Sequence, residues 1–173
     1  MLPNEFIKKK AAQLVRIHET NDPQQLCHKM GITIYYRPFD TLLGMYAVIK
    51  RKRCIFVKDD LDEHQERLVI AHEIGHDQLH KALLREQKIW QEFTLLDITT
   101  QAEREANLFA AHLLLDDDDV ISMLRDGYTD EQIARLSKVD LNLVLLKLLS
   151  MEDRLGTTLN LRHQPPSDFI AEI

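Results

Sequence analysis

Hydrophobic residues recur every three or four positions over most of the chain, the spacing that predicts amphipathic helices. Polar residues that commonly cap helices stand at the start of several of these stretches, and glycine ends two of them, at Gly31 and Gly127. The first predicted helix covers residues 4–19 with Asn4 as its cap, the second covers 22–31 and begins at Asp22-Pro23, and a third begins near 61–63. Two more are predicted over 101–115, after Thr99 or Thr100, and over 120–125, after an acidic run. A pair of helices within 129–150 begins with the capping box Thr129-Asp130-Glu131-Gln132.

Between residues 32 and 57 the pattern changes to the β-branched and aromatic residues that are typical of strands. Three strands are predicted, over 32–36, 44–49 and 53–57, and the last two flank a basic turn in the manner of an antiparallel hairpin. We therefore expect an α+β fold, mostly helical, with a small three-stranded antiparallel sheet and C-terminal helices. Residues 89–96 could form a short strand or a loop that covers a site.

The chain has 173 residues, a length that suits one domain with a hydrophobic core. We expect this domain to cover residues 1–156 and residues 157–173 to form an irregular tail. A net charge of −6 argues against broad binding to nucleic acid or to anionic membranes. The two cysteines form no C-x-x-C pair, no apolar run approaches the ~20 residues of a membrane span, and the N-terminus lacks a signal-peptide pattern. These features predict a cytoplasmic protein.

A His-Glu-x-x-His pattern, residues 72–76, lies inside an apolar stretch of helical length. Residues four apart on an α-helix lie about 40° apart around its axis, so His72 and His76 can direct two imidazoles at one cation. Glu73 lies close enough to act on a water molecule held there without being a ligand itself. Two imidazoles and a carboxylate base are the usual components of metal-assisted peptide hydrolysis.

A chance match on an ordinary surface helix is the alternative interpretation, because the pattern is short. The flanking residues oppose it, since Leu68, Val69, Ile74 and Leu79 would bury the helix on several sides. A largely buried helix that places two histidines and a glutamate together favours a metal site.

The next predicted helix offers two candidates for a third metal ligand, Glu103 and Glu105, which point about 160° apart around its axis. Glu103 shares its face with Asn107 and with small alanines that would allow close approach to another helix. We therefore expect Glu103 to complete a three-ligand zinc site whose fourth position is open to water. Asn107, one turn further along, is placed to support a ligand by hydrogen bonding.

Residues 129–150 have the spacing of a helix-turn-helix motif, although Lys138 stands where a turn glycine is usual. The second helix of this pair offers few basic or amide groups for phosphates or base edges, so packing against the domain or a protein partner fits better than DNA binding. The acidic run at residues 116–119 lacks the glycine and closing glutamate of a calcium loop and is predicted to cap the following helix.

Two segments, residues 71–80 (AHEIGHDQLH) and 103–114 (EREANLFAAHLL), strongly resemble the ImmA/IrrE-type zinc metallopeptidases, and the resemblance extends over roughly residues 25–150. It implies a zincin-like fold with His72 and His76 as zinc ligands, Glu73 as general base and Glu103 as third ligand. It also implies an endopeptidase that cleaves a helix-turn-helix repressor-type regulator, a protein substrate, and so derepresses phage, mobile-element or stress genes.

The chain departs from this family's usual pattern at two places. Residues 113–116 read Leu-Leu-Leu-Asp where Leu-Leu-Met-Pro is usual, and the connection over 81–100 is longer. The resemblance does not assign His80 as a ligand, so we expect it to support the site or to lie at the helix end. Metzincins carry a further histidine ten residues after the first, where this chain has Ala82.

Several alternatives remain open at this point. The oxyanion-stabilising group could be any of Tyr35, Tyr36, Tyr46, His80 and His112. A site of two histidines and a glutamate accepts zinc, manganese and other divalent ions. A regulatory binding module is the second functional hypothesis: it would use the same fold to sequester a transcription factor with little or no proteolysis, and an intact partner in a stable complex would distinguish it from a peptidase.

Overall fold

The described part of the chain, residues 2–80 and 101–152 of the computed structural model, forms seven helices and three strands. In chain order they are α1 (Asn4–His18), α2 (Pro23–Met30), β1 (Ile32–Arg37), β2 (Gly44–Ile49), β3 (Lys52–Lys58), α3 (Glu63–Leu79), α4 (Gln101–Leu114), α5 (Asp117–Arg125), α6 (Asp130–Ser137) and α7 (Leu141–Ser150). The expected α+β class is confirmed. The predictions for residues 89–96, the caps Thr99 and Thr100, and the tail over 157–173 lie outside the described residues, and the domain division stays a prediction.

Most of the predicted helix caps form as expected. The Asp22 side chain accepts a hydrogen bond from the backbone of Gln25 at the start of α2, and Thr129 closes a capping box at the start of α6. The prediction for Asn4 is wrong, because Asn4 already lies inside α1 and its amide donates to the backbone oxygen of Ser150 at 2.7 Å. The Asn4 side chain thus makes a tertiary contact with α7 instead of the local capping hydrogen bond that the sequence predicts.

The sheet has the strand order β1-β3-β2 and is mixed, which corrects the expectation of a purely antiparallel sheet. β2 and β3 form the predicted antiparallel hairpin, and Lys50 and Arg51 both have positive φ in its turn, as a two-residue turn of the favoured hand requires. β1 instead pairs with β3 in parallel. The reason is that β3 occupies the centre, where Ile55 and Val57 are fully buried, and leaves β2 as an edge strand.

Helix α3 lies between the sheet and α4, and Asp77 ties it to the sheet. The Tyr46 hydroxyl on β2 donates to one carboxylate oxygen of Asp77 at 2.6 Å, and Arg53 on β3 donates to the other at 3.0 Å. Because the Asp77 side chain is fully buried, these charge-assisted bonds fix both the position of α3 and its rotation against the sheet. The face of α3 that carries the histidines is thereby directed at α4.

The hydrophobic core has two parts. The larger one joins α1, α2, the sheet, α3 and α4, with Ile7, Leu26, Ile70 and Phe109 among its fully buried members. The smaller one holds the C-terminal helices together through Leu115, Val120, Ile133, Ala134, Val144, Leu148 and Met151. Within the described ranges, no helix is long and apolar enough to cross a membrane.

Candidate metal centre

The two histidines of the motif meet on the inner face of α3. Asp62 caps this helix in a capping box with Gln65, and buried hydrophobic side chains surround most of its circumference. The Nε2 atoms of His72 and His76 lie 3.0 Å apart, one helical turn from each other. The predicted orientation of two imidazoles towards one point is therefore present.

Glu103 reaches the same point from α4. Its Oε2 lies 3.0 Å from Nε2 of His72 and 3.3 Å from Nε2 of His76. The ligand atoms of these three residues all lie within 4.8 Å of one another, and over residues 2–80 and 101–152 they are the one such group of metal-binding side chains. Two imidazole nitrogens and one carboxylate oxygen form the donor set that zinc takes in hydrolytic sites.

The remaining nitrogen of His72 shows that the donor set fits a divalent cation. His72 Nδ1 lies 2.7 Å from the amide oxygen of Asn107, which can only accept, so the ring proton belongs on Nδ1. The lone pair of Nε2 is then directed at the point shared with His76 and Glu103. Asn107 occupies the supporting position that the sequence predicts for it.

His76 has a different support. Its Nδ1 lies 3.1 Å from Nδ1 of His80, and His80 Nε2 lies 3.1 Å from Oε2 of Glu105. For His80 the sequence predicts a supporting role or a place at the helix end, but not the contact with Glu105. A signal was present, because His80 follows His76 by the same four-residue step that separates His76 from His72.

Glu73 lies beside the three-residue group without belonging to it. The residue is 4% exposed, and its carboxylate accepts a hydrogen bond from the backbone N–H of Tyr46 on β2. Burial raises the pKa of Glu73 to about 7, with the neighbouring Glu103 adding to the rise and His72 and the Tyr46 N–H opposing it. A carboxyl group with this pKa can both accept and return a proton at neutral pH.

Three further pKa values are shifted at the site, those of His72, Glu103 and His76. Burial disfavours the charged form of His72, but its contacts with Glu103, Glu73 and Asn107 outweigh that effect and raise its pKa. Burial disfavours the charged form of Glu103, but its contacts with His72 and His76 outweigh that effect, so its pKa lies below the ordinary value and the carboxylate is ionised. Burial lowers the pKa of His76, which favours the neutral imidazole that a metal ligand requires.

The five residues considered for an oxyanion-stabilising role have other partners. The hydroxyls of Tyr36 and Tyr46 donate to Glu66 and Asp77, Tyr35 stacks on Phe56, and His112 contacts Asn4 and Lys147. His80 alone among the five has a described contact with the group formed by His72, His76 and Glu103, and it makes that contact at Nδ1 of His76, on the side of the ring away from Nε2.

Comparisons with known proteins agree with this geometry. The peptidase family described as the IrrE N-terminal-like domain matches residues 27–149. Uncharacterized immunity region protein 2 of Bacillus phage phi105 is 30% identical over 149 residues, which cover 86% of this chain and 92% of that protein. Metallopeptidase ImmA of Bacillus subtilis (strain 168) is 32% identical over 132 residues, which cover 74% of this chain and 75% of that protein.

Proposed function

This chain belongs to the peptidase family of the IrrE N-terminal-like domain, and from that membership we propose that it is a zinc-dependent endopeptidase that cleaves a repressor-type transcription regulator. The observation that carries the proposal is the convergence of His72, His76 and Glu103 on one point, with the buried Glu73 beside them. His72, His76 and Glu103 are the proposed ligands, and Glu73 is the proposed general base.

The proposed roles of the ligands and of Glu73 follow from the chemistry of their side chains. A zinc ion held by the three ligands would supply Lewis-acid polarisation of the scissile carbonyl and lower the pKa of a bound water towards ~7. Glu73 would accept a proton from the attacking water and return it to the leaving amine, because it is the buried carboxylate beside the three ligands that is not itself a ligand. The Tyr46 N–H holds the Glu73 carboxylate in place for both transfers.

The edge strand β2 is the proposed support for the substrate backbone. Among the residues that the structure describes, its one neighbour in the sheet is β3, and the Glu73 carboxylate lies against it at Gly44 and Tyr46. An extended peptide that paired with the outer edge of β2 would pass directly over Glu73.

The substrate class is supported by the relatives. One similar protein carries the name metallopeptidase ImmA, and another is named as a protein of a phage immunity region. A helix-turn-helix repressor-type regulator is the proposed substrate on that basis, and its cleavage would derepress the genes under its control.

The test is incubation of the zinc-loaded protein with the repressor-like protein encoded nearest its gene, read by mass spectrometry. We expect defined fragments that disappear with chelator and in a Glu73→Gln variant, which should lose about 10²- to 10⁴-fold in cleavage rate. The variant should still bind zinc, because Glu73 is not among the three ligands. Cleavage at the wild-type rate by Glu73→Gln would contradict the mechanism, and an intact partner in a stable complex would favour a sequestering module instead.

A further inference from the structure

We propose that His80 and Glu105 act as positioning residues that fix the ring orientation and tautomer of His76 for metal binding. The inference rests on the proposed function, since it concerns a ligand of the proposed zinc site. It assigns a role to two residues outside the His-Glu-x-x-His pattern and outside the three-ligand group.

The hydrogen-bonding requirements of the two rings carry the first step. His76 can offer the Nε2 lone pair to a cation only if its proton is on Nδ1, and that Nδ1 lies 3.1 Å from Nδ1 of His80. His80 must then accept at Nδ1 and carry its own proton on Nε2. That Nε2 lies 3.1 Å from a carboxylate oxygen of Glu105, which can only accept. A single arrangement of protons therefore satisfies every contact from Glu105 to the metal-facing atom of His76.

The far end of this chain of contacts is held firmly. The second oxygen of Glu105 accepts the backbone N–H of Leu2 at 2.5 Å and the side-chain amide of Gln101 at 2.7 Å. Oε2 is thereby left for His80, whose side chain is 6% exposed while that of Glu105 is 4% exposed. A buried carboxylate must be matched by donors, so the orientation of His80 is fixed by Glu105.

Two comparisons indicate why His76 has this support. His76 is the more accessible ligand, with 13% of its side chain exposed against 2% for His72, and so the surrounding core restricts its ring less. His72 is held by the neutral amide of Asn107, whereas the support of His76 ends in a carboxylate, which also increases the basicity of the ligand. His80 is the C-cap residue of α3, so the contact that supports the His76 ring comes from a side chain at the end of the same helix.

Measurement of zinc affinity tests this inference without any substrate. The full chain and the variants His80→Ala, His80→Asn and Glu105→Gln are stripped of metal and titrated with zinc in competition with a chromogenic chelator. The visible spectrum of the cobalt(II)-loaded proteins reports the ligand geometry, and thermal unfolding of the metal-free proteins reports stability. His112→Gln serves as control, because His112 is a partly buried histidine of α4 that contacts Asn4 and Lys147 and none of the proposed ligands.

We expect His80→Ala and Glu105→Gln to weaken zinc binding by about 10- to 100-fold, the usual effect of removing an outer partner of a metal-binding histidine. His80→Asn should recover part of that loss, because its amide oxygen can take the place of Nδ1 as acceptor for His76. The cobalt spectrum should change in His80→Ala, and His112→Gln should bind zinc as the wild type does.

The outcomes separate this inference from the proposed function. If the wild type binds zinc and both His80→Ala and Glu105→Gln keep its affinity and cobalt spectrum while unfolding at lower temperature, the two residues have only a structural role and the inference is wrong. The zinc peptidase would then still stand. A wild-type chain that binds no zinc would overturn the proposed function and this inference together.

Discussion

Gly75 of α3 lies directly against the backbone of Ala106 of α4. A Cβ atom built on Gly75 would lie 3.1 Å from both the Cα and the carbonyl oxygen of Ala106. Gly75 immediately precedes His76, and Ala106 lies one turn after Glu103. The contact therefore sets the separation of the two helices at the level where Glu103 reaches the histidines, and the missing side chain at Gly75 allows that separation to be small.

Replacement of Gly75 by alanine should consequently destabilise the protein and weaken zinc binding. Helix propensity alone favours alanine by about 1 kcal/mol, but overpacking against a backbone commonly costs about 1–3 kcal/mol, and here the backbone of Ala106 cannot rotate away. Thermal unfolding and zinc titration measure the two effects. Gly31→Ala is the control. Gly31 has a φ of +68°, which strains an alanine, but a Cβ atom added there would have nothing within 4 Å. The stability of this variant should therefore fall without a change in its zinc affinity. A more stable Gly75→Ala variant would show that propensity outweighs packing.

Gly44 should control cleavage without affecting metal binding. A Cβ atom there would lie 3.0 Å from a carboxylate oxygen of Glu73 and 2.3 Å from Cγ1 of Val69. Gly44→Ala should therefore displace the general base, and a shift of about 1 Å in a catalytic group can reduce the rate by about 100-fold. Zinc affinity should stay at the wild-type value, because Gly44 has no contact with the proposed ligands among its nearest atoms.

The double variant Gly44→Ala/Val69→Ala separates the two contacts. It removes the clash with Val69 and leaves the contact with Glu73, so a loss of cleavage that persists in the double variant belongs to Glu73. Val69→Ala alone measures the effect of the cavity. Recovery of full cleavage in the double variant would instead mean that the strand was displaced by Val69.

The local parts of the structure were predictable, because their signals lie within a few residues of one another. The capping box at Thr129, the Asp22-Pro23 helix start and the hairpin between β2 and β3 all depend on short-range chemistry. The choice of Glu103 over Glu105 as a candidate depended on helical geometry and on the family resemblance. The structure brings Glu103 to the two histidines and keeps Glu105 away from them.

The non-local parts were not predictable from one sequence. The parallel pairing of β1 with β3 depends on which strand takes the central position, and no turn signal specifies that choice. The hydrogen bond between His80 and Glu105 joins residues 25 positions apart, and the contact of Asn4 with Ser150 joins residues 146 positions apart. Both hydrogen bonds depend on how the helices pack against each other. The hydrophobic periodicity of a sequence shows which face of a helix is buried, but not which residues of another helix that face contacts.

Zinc should stabilise the folded protein through Glu103 in a concentration-dependent way. A ligand that binds only the folded state contributes about 2.7 kcal/mol at a free concentration 100 times its dissociation constant. The unfolding temperature should therefore rise with added zinc and fall again with chelator. Glu103→Ala should abolish this response, whereas Glu73→Gln should retain it. An equal zinc response in wild type and Glu103→Ala, measured by thermal unfolding, would remove Glu103 from the ligand set.

A second polar cluster, partly buried and formed by Asn4, Lys8, His112, Asp117 and Lys147, joins α1, α4, α5 and α7. The ammonium of Lys147, whose side chain is 1% exposed, donates to Asp117 at 2.5 Å and lies 3.2 Å from Nδ1 of His112. Lys8 donates to the other oxygen of Asp117 at 2.6 Å, and Nε2 of His112 donates to the Asn4 amide oxygen at 2.8 Å. Since Lys147 can only donate, His112 must be neutral in this arrangement.

Because of this cluster, the free energy of unfolding should decrease as the pH is lowered below about 6.5. Burial, assisted by the positive charge of Lys147, lowers the pKa of His112 to about 3. Because the unfolded chain then binds a proton at a higher pH than the folded one, the contribution of His112 is complete above its unfolded pKa of ~6.5 and is lost as the pH falls towards 3, at about 1.4 kcal/mol per pH unit at most. Asp117 also has a lowered pKa, since its hydrogen bonds from Lys147 and Lys8 outweigh its burial, but its contribution is lost only below about pH 4.

The window between pH 6.5 and 4.5 therefore isolates His112 from Asp117. Urea unfolding of the wild type and of His112→Gln across this window measures the effect, and the difference in slope cancels the titration of groups common to both proteins. We expect the free energy of unfolding of His112→Gln to depend less steeply on pH, because glutamine can still accept a hydrogen bond from Lys147 but takes up no proton. Parallel slopes for the two proteins would mean that His112 has the same pKa in the folded and the unfolded chain, so that its contact with Lys147 does not keep it neutral.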